Sequence, residues 1–176
     1  AHETAHMWFG NLVTMQWFND VWLKEVFANF MAAKIVNPAF PQINHDLRFM
    51  MAHYPSAYDV DRSMGAHPVQ QELDNLKNAG SLYGAIIYQK APIMMRNLET
   101  LVLQDYLNTY SYANASWDDL ISVLERHTDR DLDAWNRAWI KTAGMPEILV
   151  ASTPSRLAIS VCNDSRQIIW PQSFSY

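Results

Sequence analysis

Two histidines near the start of the sequence are spaced as ligands of one metal ion. His2 and His6 are four residues apart, so a helix would place both imidazoles on one face. Glu25 follows after eighteen intervening residues and would complete a set of two histidines and one carboxylate. Such a set leaves the fourth position of a zinc ion open for water, which a catalytic zinc site requires.

Glu3 lies beside the first histidine but is offset around the helix, so it would face the water rather than the metal. Zinc lowers the pKa of its water to about 7, and Glu3 could accept a proton as that water attacks a carbonyl. We therefore expect hydrolysis by a zinc-activated water with Glu3 as general base. Short patterns of this kind also arise by chance, so the surrounding sequence has to decide.

Two helices must bring these residues together, because the histidines and Glu25 lie in separate apolar-periodic segments. The spacing predicts a first helix over residues 2–11 and a second over residues 20–36, before Asn37-Pro38. A third helix is predicted over residues 44–53, ending before Tyr54-Pro55. Glycines and a proline predict a loop over residues 63–80.

The second half of the chain changes from a helical to a strand-like pattern. Residues 81–110 are predicted to be helical, with Pro92 starting or kinking a helix, and Ser116 is predicted to cap the next one in a box with Asp119. Leu132, Trp135 and Trp139 form another helical stripe. Strands are predicted over residues 147–151, 157–161 and 167–170. We therefore expect a mainly α fold, with residues 1–145 helical and residues 146–176 forming the first strands of a β module.

The composition limits the classes of partner. The net charge of −5 and pI near 5.6 argue against nucleic acid or an anionic membrane surface. No apolar run is long enough for a membrane span. The single cysteine, Cys162, cannot form an internal disulfide, which favours the cytoplasm over the periplasm.

Several motifs resemble one family when they are taken together. The stretch HETAHMWFGN over residues 2–11, with Val13-Thr14 and then Trp17-Phe18, Trp22-Leu23 and Glu25, resembles the aminopeptidase N family of zinc peptidases. That family reads HExxHxWFGNxVT and then WWxDxWLNEGFA. Residues 88–90, Tyr-Gln-Lys, resemble its YxKG motif, and residues 114–120 and 139–146 resemble its downstream helices.

This resemblance implies a role for each site residue. His2, His6 and Glu25 would hold one Zn²⁺, Glu3 would be the general base, and Tyr88 would donate its hydroxyl to the oxyanion. The fold would be the helical half of a thermolysin-like catalytic domain followed by the first strands of a β-sandwich. The substrates would be peptides, cleaved at the N-terminal peptide bond.

The sequence also departs from the family pattern around the site. Lys24 and Val26 replace the asparagine and glycine that flank the third ligand, and Ala91 replaces the glycine after the YxK residues. Ala32 stands where many relatives have a glutamate that helps to orient the histidines. None of these changes removes a ligand or the base, so they bear on activity more than on the identity of the metal.

Three alternatives stay open at this point. The protein could be a gluzincin of other selectivity, either an endopeptidase or an epoxide hydrolase, or it could be a non-catalytic relative that acts as a scaffold. The chain begins with Ala1-His2, without an initiator methionine and directly inside the metal motif of residues 2–6, so we interpret it as an internal fragment. The resemblance implies that the motif that holds a substrate's α-amine lies upstream of the metal motif. We expect the isolated chain to be inactive and, with its exposed Trp-rich face, to self-associate.

Overall fold

A computed structural model describes residues 1–96 and 100–162 of the chain. These residues are mostly helical, so the mainly α class predicted from the sequence is confirmed. None of the helices within these ranges combines the length and hydropathy needed to cross a membrane. The α-helices are α1 (His2–Ala5), α2 (Val21–Val36), α3 (His45–Asp61), α4 (Ala91–Met95), α5 (Thr100–Tyr110), α6 (Trp117–Glu125) and α7 (Leu132–Trp139). The strands are β1 (Val13–Met15), β2 (Ala113–Ala115), β3 (Glu147–Thr153) and β4 (Arg156–Cys162).

Helix α1 is shorter than predicted, because the chain turns after Ala5 instead of continuing to residue 11. Gly10 adopts a φ of 124°, which side chains other than glycine's rarely allow, and its amide donates to the Val13 carbonyl at 3.0 Å. This turn leads into β1, which pairs in parallel with β2, a strand 100 residues later in the chain. The metal motif is therefore followed by a fixed strand rather than by more helix.

Helix α2 begins and ends within a residue of its predicted bounds. Its first half is buried: Trp22 and Phe27 are core residues, and the Trp22 ring lies 4.9 Å from that of Trp117. Its last turn is exposed, with Ile35 and Val36 in solvent. The half of α2 that carries Glu25 is thus the half anchored in the core.

A buried carboxylate connects the start of α2 to the start of α6. Asp20 accepts hydrogen bonds from the Trp117 backbone amide at 3.0 Å and from the Gln70 side chain at 2.6 Å. Burial raises the pKa of Asp20, and these two hydrogen bonds partly offset that effect. The predicted capping box at Ser116 and Asp119 is also present, so both helix starts are fixed in one place.

Helix α3 continues past the point where the sequence predicted its end. Asn44 caps it, accepting from the Leu47 amide at 2.9 Å, but the helix runs through Pro55 to Asp61. A proline inside a helix costs about 3 kcal/mol because it removes one hydrogen bond and crowds the preceding turn. The last turn is held by burial of Ala57 and Asp61, and tertiary contact therefore overrides the local signal.

The segment before Pro92 forms a π-helical turn over Ile86–Lys90, and Pro92 lies in the first turn of α4, as predicted. In this turn the Ala91 amide donates to the Ile86 carbonyl, five residues back. The Lys90 ammonium is 2% exposed and donates to Asp61 Oδ1 and to the Gly144 carbonyl, each at 3.0 Å. The turn is therefore held on two sides by one buried cation.

Strands β3 and β4 form an antiparallel hairpin whose register runs from Glu147↔Cys162 to Thr153↔Arg156. Strands thus occur where alternation predicted the first two, while the predicted strand over residues 167–170 lies outside the described residues. Several apolar hairpin side chains are exposed: Ile148, Leu149, Val150, Leu157 and Ile159. The division at residue 145 and the self-association of the chain both stay predictions.

Replacement of Lys90 by methionine should destabilise the fold strongly. The change leaves the Asp61 carboxylate buried beside an apolar side chain, and breaking a buried ion pair in this way costs about 3–5 kcal/mol. Chemical denaturation followed by circular dichroism measures the loss in the free energy of unfolding. A second variant, Lys90→Met with Asp61→Leu, removes both charges and should recover most of it.

Lys141→Met is the matched control, because Lys141 pairs with Asp118 at 2.8 Å but both side chains are substantially exposed. An exposed pair contributes less than about 1 kcal/mol, so this variant should unfold close to the wild type. Equal losses for the two lysine variants would contradict the assignment of Lys90 to a structural ion pair.

Candidate metal centre

His2 in α1 and His6, the C-cap residue of that helix, face each other across one helical turn. His2 Nε2 and His6 Nε2 are 3.1 Å apart, and the two rings meet edge to face at 88° with their centroids 4.7 Å apart. The four-residue spacing on a helix produces this arrangement, because positions i and i+4 lie above one another. Short as it is, α1 spans the turn that aligns both rings.

Each ring is oriented by an oxygen acceptor at its other nitrogen. His2 Nδ1 lies 2.9 Å from Asn29 Oδ1, and His6 Nδ1 lies 3.1 Å from the Phe9 carbonyl oxygen. An amide oxygen can only accept, so both Nδ1 atoms carry the hydrogen when the rings are neutral. In that tautomer both Nε2 atoms present lone pairs to each other, an arrangement that a cation between them would stabilise.

The carboxylate of Glu25 lies close to both Nε2 atoms. Its Oε2 is 3.7 Å from His2 Nε2 and its Oε1 is 3.9 Å from His6 Nε2, and the residue is 9% exposed. Lys24 Nζ, at 3.7 Å, is a further neighbour of Oε1. Within the described residues, His2, His6 and Glu25 form a group whose ligand atoms all lie within 4.8 Å of one another, and this group could hold a metal ion.

The donor set fits zinc in both chemistry and spacing. Zinc is bound by imidazole nitrogen and carboxylate oxygen at about 2.0–2.2 Å, so two ligands of a tetrahedral ion are about 3.3 Å apart. The separations of 3.1, 3.7 and 3.9 Å are close to that figure. Three protein ligands also leave one position open, as a catalytic rather than a structural zinc site does.

Glu3 lies beside this group without joining it. Its side chain is 91% exposed, and its Oε1 is 4.0 Å from His2 Nε2. Glu25 is buried below the histidines, whereas Glu3 lies on their solvent side. The two glutamates are therefore in different environments, and only Glu3 can reach a molecule that approaches from solvent.

Tyr88 is brought to the same place by the π-helical turn. Burial raises the pKa of its hydroxyl, and the charge of the Glu25 carboxylate and a hydrogen bond to it raise that pKa further. The neighbouring Tyr83 ring is 6.5 Å away. The phenol is thus a neutral hydrogen-bond donor beside the carboxylate of the metal-binding group.

Sequence reasoning missed Asn29 and the Phe9 carbonyl. The signal for Asn29 was its position four residues after Glu25, which places both on one face of α2. Asn29 also lines a cavity of about 480 Å³ between α2, α3 and α4, together with Phe30, Phe49 and Asn37. The carbonyl of Phe9 could not have been found, because a backbone acceptor leaves no mark in the sequence.

Among the described residues, the other four histidines are not part of the metal-binding group. His45 contacts the Phe40 carbonyl, His67 contacts the Pro68 carbonyl, and His127 contacts Asp105 at 3.1 Å. His53 packs on the Phe49 ring, and burial lowers its pKa. The side chain of Cys162 lies outside the described part of the structure.

Three known proteins similar to this chain are named aminopeptidases. Aminopeptidase M1-C of Oryza sativa subsp. japonica is 35% identical in an alignment that covers 85% of this chain and 18% of the relative. Puromycin-sensitive aminopeptidase of Caenorhabditis elegans is 33% identical, over 86% of this chain and 17% of the relative. Aminopeptidase N of Streptomyces lividans is 33% identical, over 84% of this chain and 19% of the relative.

The chain spans less than a quarter of the length of each of these relatives. A family described as the peptidase family M1 domain matches residues 1–139, which include both histidines, both glutamates and Tyr88. The resemblance drawn from the sequence motifs is thereby confirmed over most of the chain. With the geometry of the histidine–glutamate group, this match makes the chain a member of peptidase family M1.

Proposed function

We propose that this chain carries the zinc centre of a metallo-aminopeptidase, with His2, His6 and Glu25 as the ligands. The arrangement of the two Nε2 atoms supports the proposal most directly. They face each other at 3.1 Å while both Nδ1 atoms meet oxygen acceptors, so a cation between the two Nε2 atoms would be stabilised by both lone pairs. The Glu25 carboxylate supplies the negative charge that favours a divalent one.

When bound, zinc would act as a Lewis acid: it would polarise the scissile carbonyl and lower the pKa of water to about 7. Glu3 takes the proton from the attacking water and delivers it to the amine that leaves. Its exposed carboxylate, 4.0 Å from His2 Nε2, can reach both partners of that transfer. Glu25 cannot share this role, because its carboxylate is buried below both histidines.

Tyr88 donates its hydroxyl hydrogen to the carbonyl oxygen as negative charge develops there. A neutral donor fixed in place before the reaction stabilises the transition state more than the substrate. The π-helical turn fixes Tyr88 through the buried Lys90, which bonds to Asp61 and to the Gly144 carbonyl. The position of the Tyr88 hydroxyl thus depends on the contacts that Lys90 makes with Asp61 and with Gly144.

The restriction to N-terminal peptide bonds is proposed from the relatives, each of which is named an aminopeptidase. Aminoacyl-4-nitroanilides and their N-acetylated forms test it on the full-length natural protein. An aminopeptidase hydrolyses the free amines and rejects the blocked ones. Equal hydrolysis of both would indicate an endopeptidase, and bound zinc without any hydrolysis would favour an epoxide hydrolase or a scaffold.

Replacement of Glu3 by glutamine should abolish turnover while zinc stays bound. The amide keeps the shape of the side chain but cannot accept the proton, and Glu3 is not among the ligands. Hydrolysis of an aminoacyl-4-nitroanilide and zinc content by atomic absorption give the two measurements.

Glu125→Gln, at the exposed end of α6, is the control for the loss of one surface charge and should retain full activity. Loss of zinc from the Glu3 variant, or near-normal turnover, would show that Glu3 is not the base.

Tyr88→Phe should lower kcat by about 100- to 1000-fold with little change in KM, the cost of removing one oxyanion donor. The phenyl ring still fills the space in the turn, so the free energy of unfolding should change little. Steady-state kinetics over a range of substrate concentrations separate the two constants.

Tyr112→Phe removes a hydroxyl from a side chain that is 92% exposed and should leave both constants unchanged. A rise in KM alone for Tyr88→Phe would assign Tyr88 to substrate binding and not to the chemical step.

A further inference from the structure

Asn29 contacts a proposed zinc ligand at the atom opposite the metal. Its Oδ1 is 2.9 Å from His2 Nδ1, and the side chain is partly buried at the edge of the cavity between α2, α3 and α4. We propose that Asn29 is the positioning residue of His2: it fixes the tautomer and ring orientation and thereby sets the affinity for zinc. This inference rests on the proposed function.

The spacing along α2 explains why an asparagine at this position can act on the site. Glu25 and Asn29 are four residues apart and share one helix face. Glu25 meets both histidines, whereas Asn29 meets only His2, at the opposite nitrogen. One helix therefore supplies a ligand to the metal and holds a second ligand in its productive orientation.

The two histidines differ in how they are held. The acceptor for His6 is the Phe9 carbonyl, which belongs to the turn that ends in Gly10 and which no side-chain change removes. The acceptor for His2 is the side chain of Asn29. Without it, the His2 ring is free to rotate or to carry its hydrogen on Nε2, and either change removes a lone pair from the metal.

The charge of the acceptor at this position predicts whether a substitution of Asn29 strengthens or weakens zinc binding. The amide oxygen of Asn29 is neutral, and a carboxylate at the same atom would make a stronger, charge-assisted hydrogen bond. A stronger acceptor makes the imidazole a better donor to the metal, since partners of this kind raise ligand basicity. Asn29→Asp should therefore bind zinc at least as tightly as the wild type, whereas Asn29→Ala should bind it more weakly.

The test is zinc affinity, measured on the full-length natural protein. Metal is removed with a chelator, and zinc is titrated back in competition with a chromogenic chelator. Asn29→Ala should weaken binding by about 10- to 100-fold, the usual effect of losing a partner of a ligand histidine. At saturating zinc its KM should stay near the wild-type value. Cobalt in place of zinc gives a visible spectrum, which should change in Asn29→Ala and be restored in Asn29→Asp.

Asn37→Ala is the matched control. Asn37 has the same side chain and lines the same cavity, but it is the C-cap residue of α2, about two turns beyond Asn29. Its replacement should leave zinc affinity unchanged. An equal loss in both variants would assign the effect to packing around the cavity and overturn the role of Asn29, as would wild-type affinity in Asn29→Ala. If Asn29→Ala does not fold, weak binding by the nearly isosteric Asn29→Asp would overturn it too.

The two proposals can fail separately. A wild-type protein that binds no zinc would overturn both of them. A wild-type protein that binds zinc and hydrolyses aminoacyl substrates, with an Asn29→Ala variant of equal affinity, would overturn only the role of Asn29. Zinc binding that depends on Asn29 in a protein without peptidase activity would uphold that role and overturn the proposed function.

Discussion

The surrounding fold has to hold two imidazole nitrogens and one carboxylate, from two segments of the chain, within about 4 Å of one another. His2 Nε2 and His6 Nε2 lie 3.1 Å apart, and Glu25 closes the third side at 3.7 and 3.9 Å. Such a cluster is unfavourable until a cation occupies it, so the surrounding chain must hold it together. The turn at Gly10 does so after α1, and the buried first half of α2 does so beneath Glu25.

Two buried charges hold the elements around this cluster. Asp20 connects the start of α2 to Trp117 at the start of α6, and Lys90 connects the turn that carries Tyr88 to Asp61 at the end of α3. Both charges have polar partners, as burial requires. The segments that carry Glu25, the proposed ligand, and Tyr88, the proposed hydrogen-bond donor, are thus each held by a buried charge. Ordinary apolar packing, such as Trp22 on Trp117, fills the space between them.

The sequence predicted the metal-binding set because helical periodicity alone places His2 and His6 on one face, and Gly, Pro and capping residues marked most element ends. It failed where tertiary structure decided the outcome. Helix α3 continues past Pro55 because the buried ion pair between Asp61 and Lys90 stabilises its last turn. The residues around Pro55 give no sign of this distant contact. Helix α1 stops early because the chain after it enters a strand whose partner lies far away in the sequence. Asn29 lies four residues after Glu25 on α2, but an asparagine at such a position has many possible roles, so its contact with His2 was not predicted.

The parallel pairing of β1 with β2 has a consequence for the order of assembly. Val13 pairs with Ala113, so this contact closes a loop of 100 residues, whereas His6 and Glu25 are only 19 residues apart. Loop-closure entropy grows with the logarithm of loop length, and contacts of long sequence separation slow folding. The contact between α1 and α2 can therefore form before the strand that follows the metal motif is docked. If the group binds a metal ion as proposed, that ion could be captured before β1 pairs with β2 and the topology is complete.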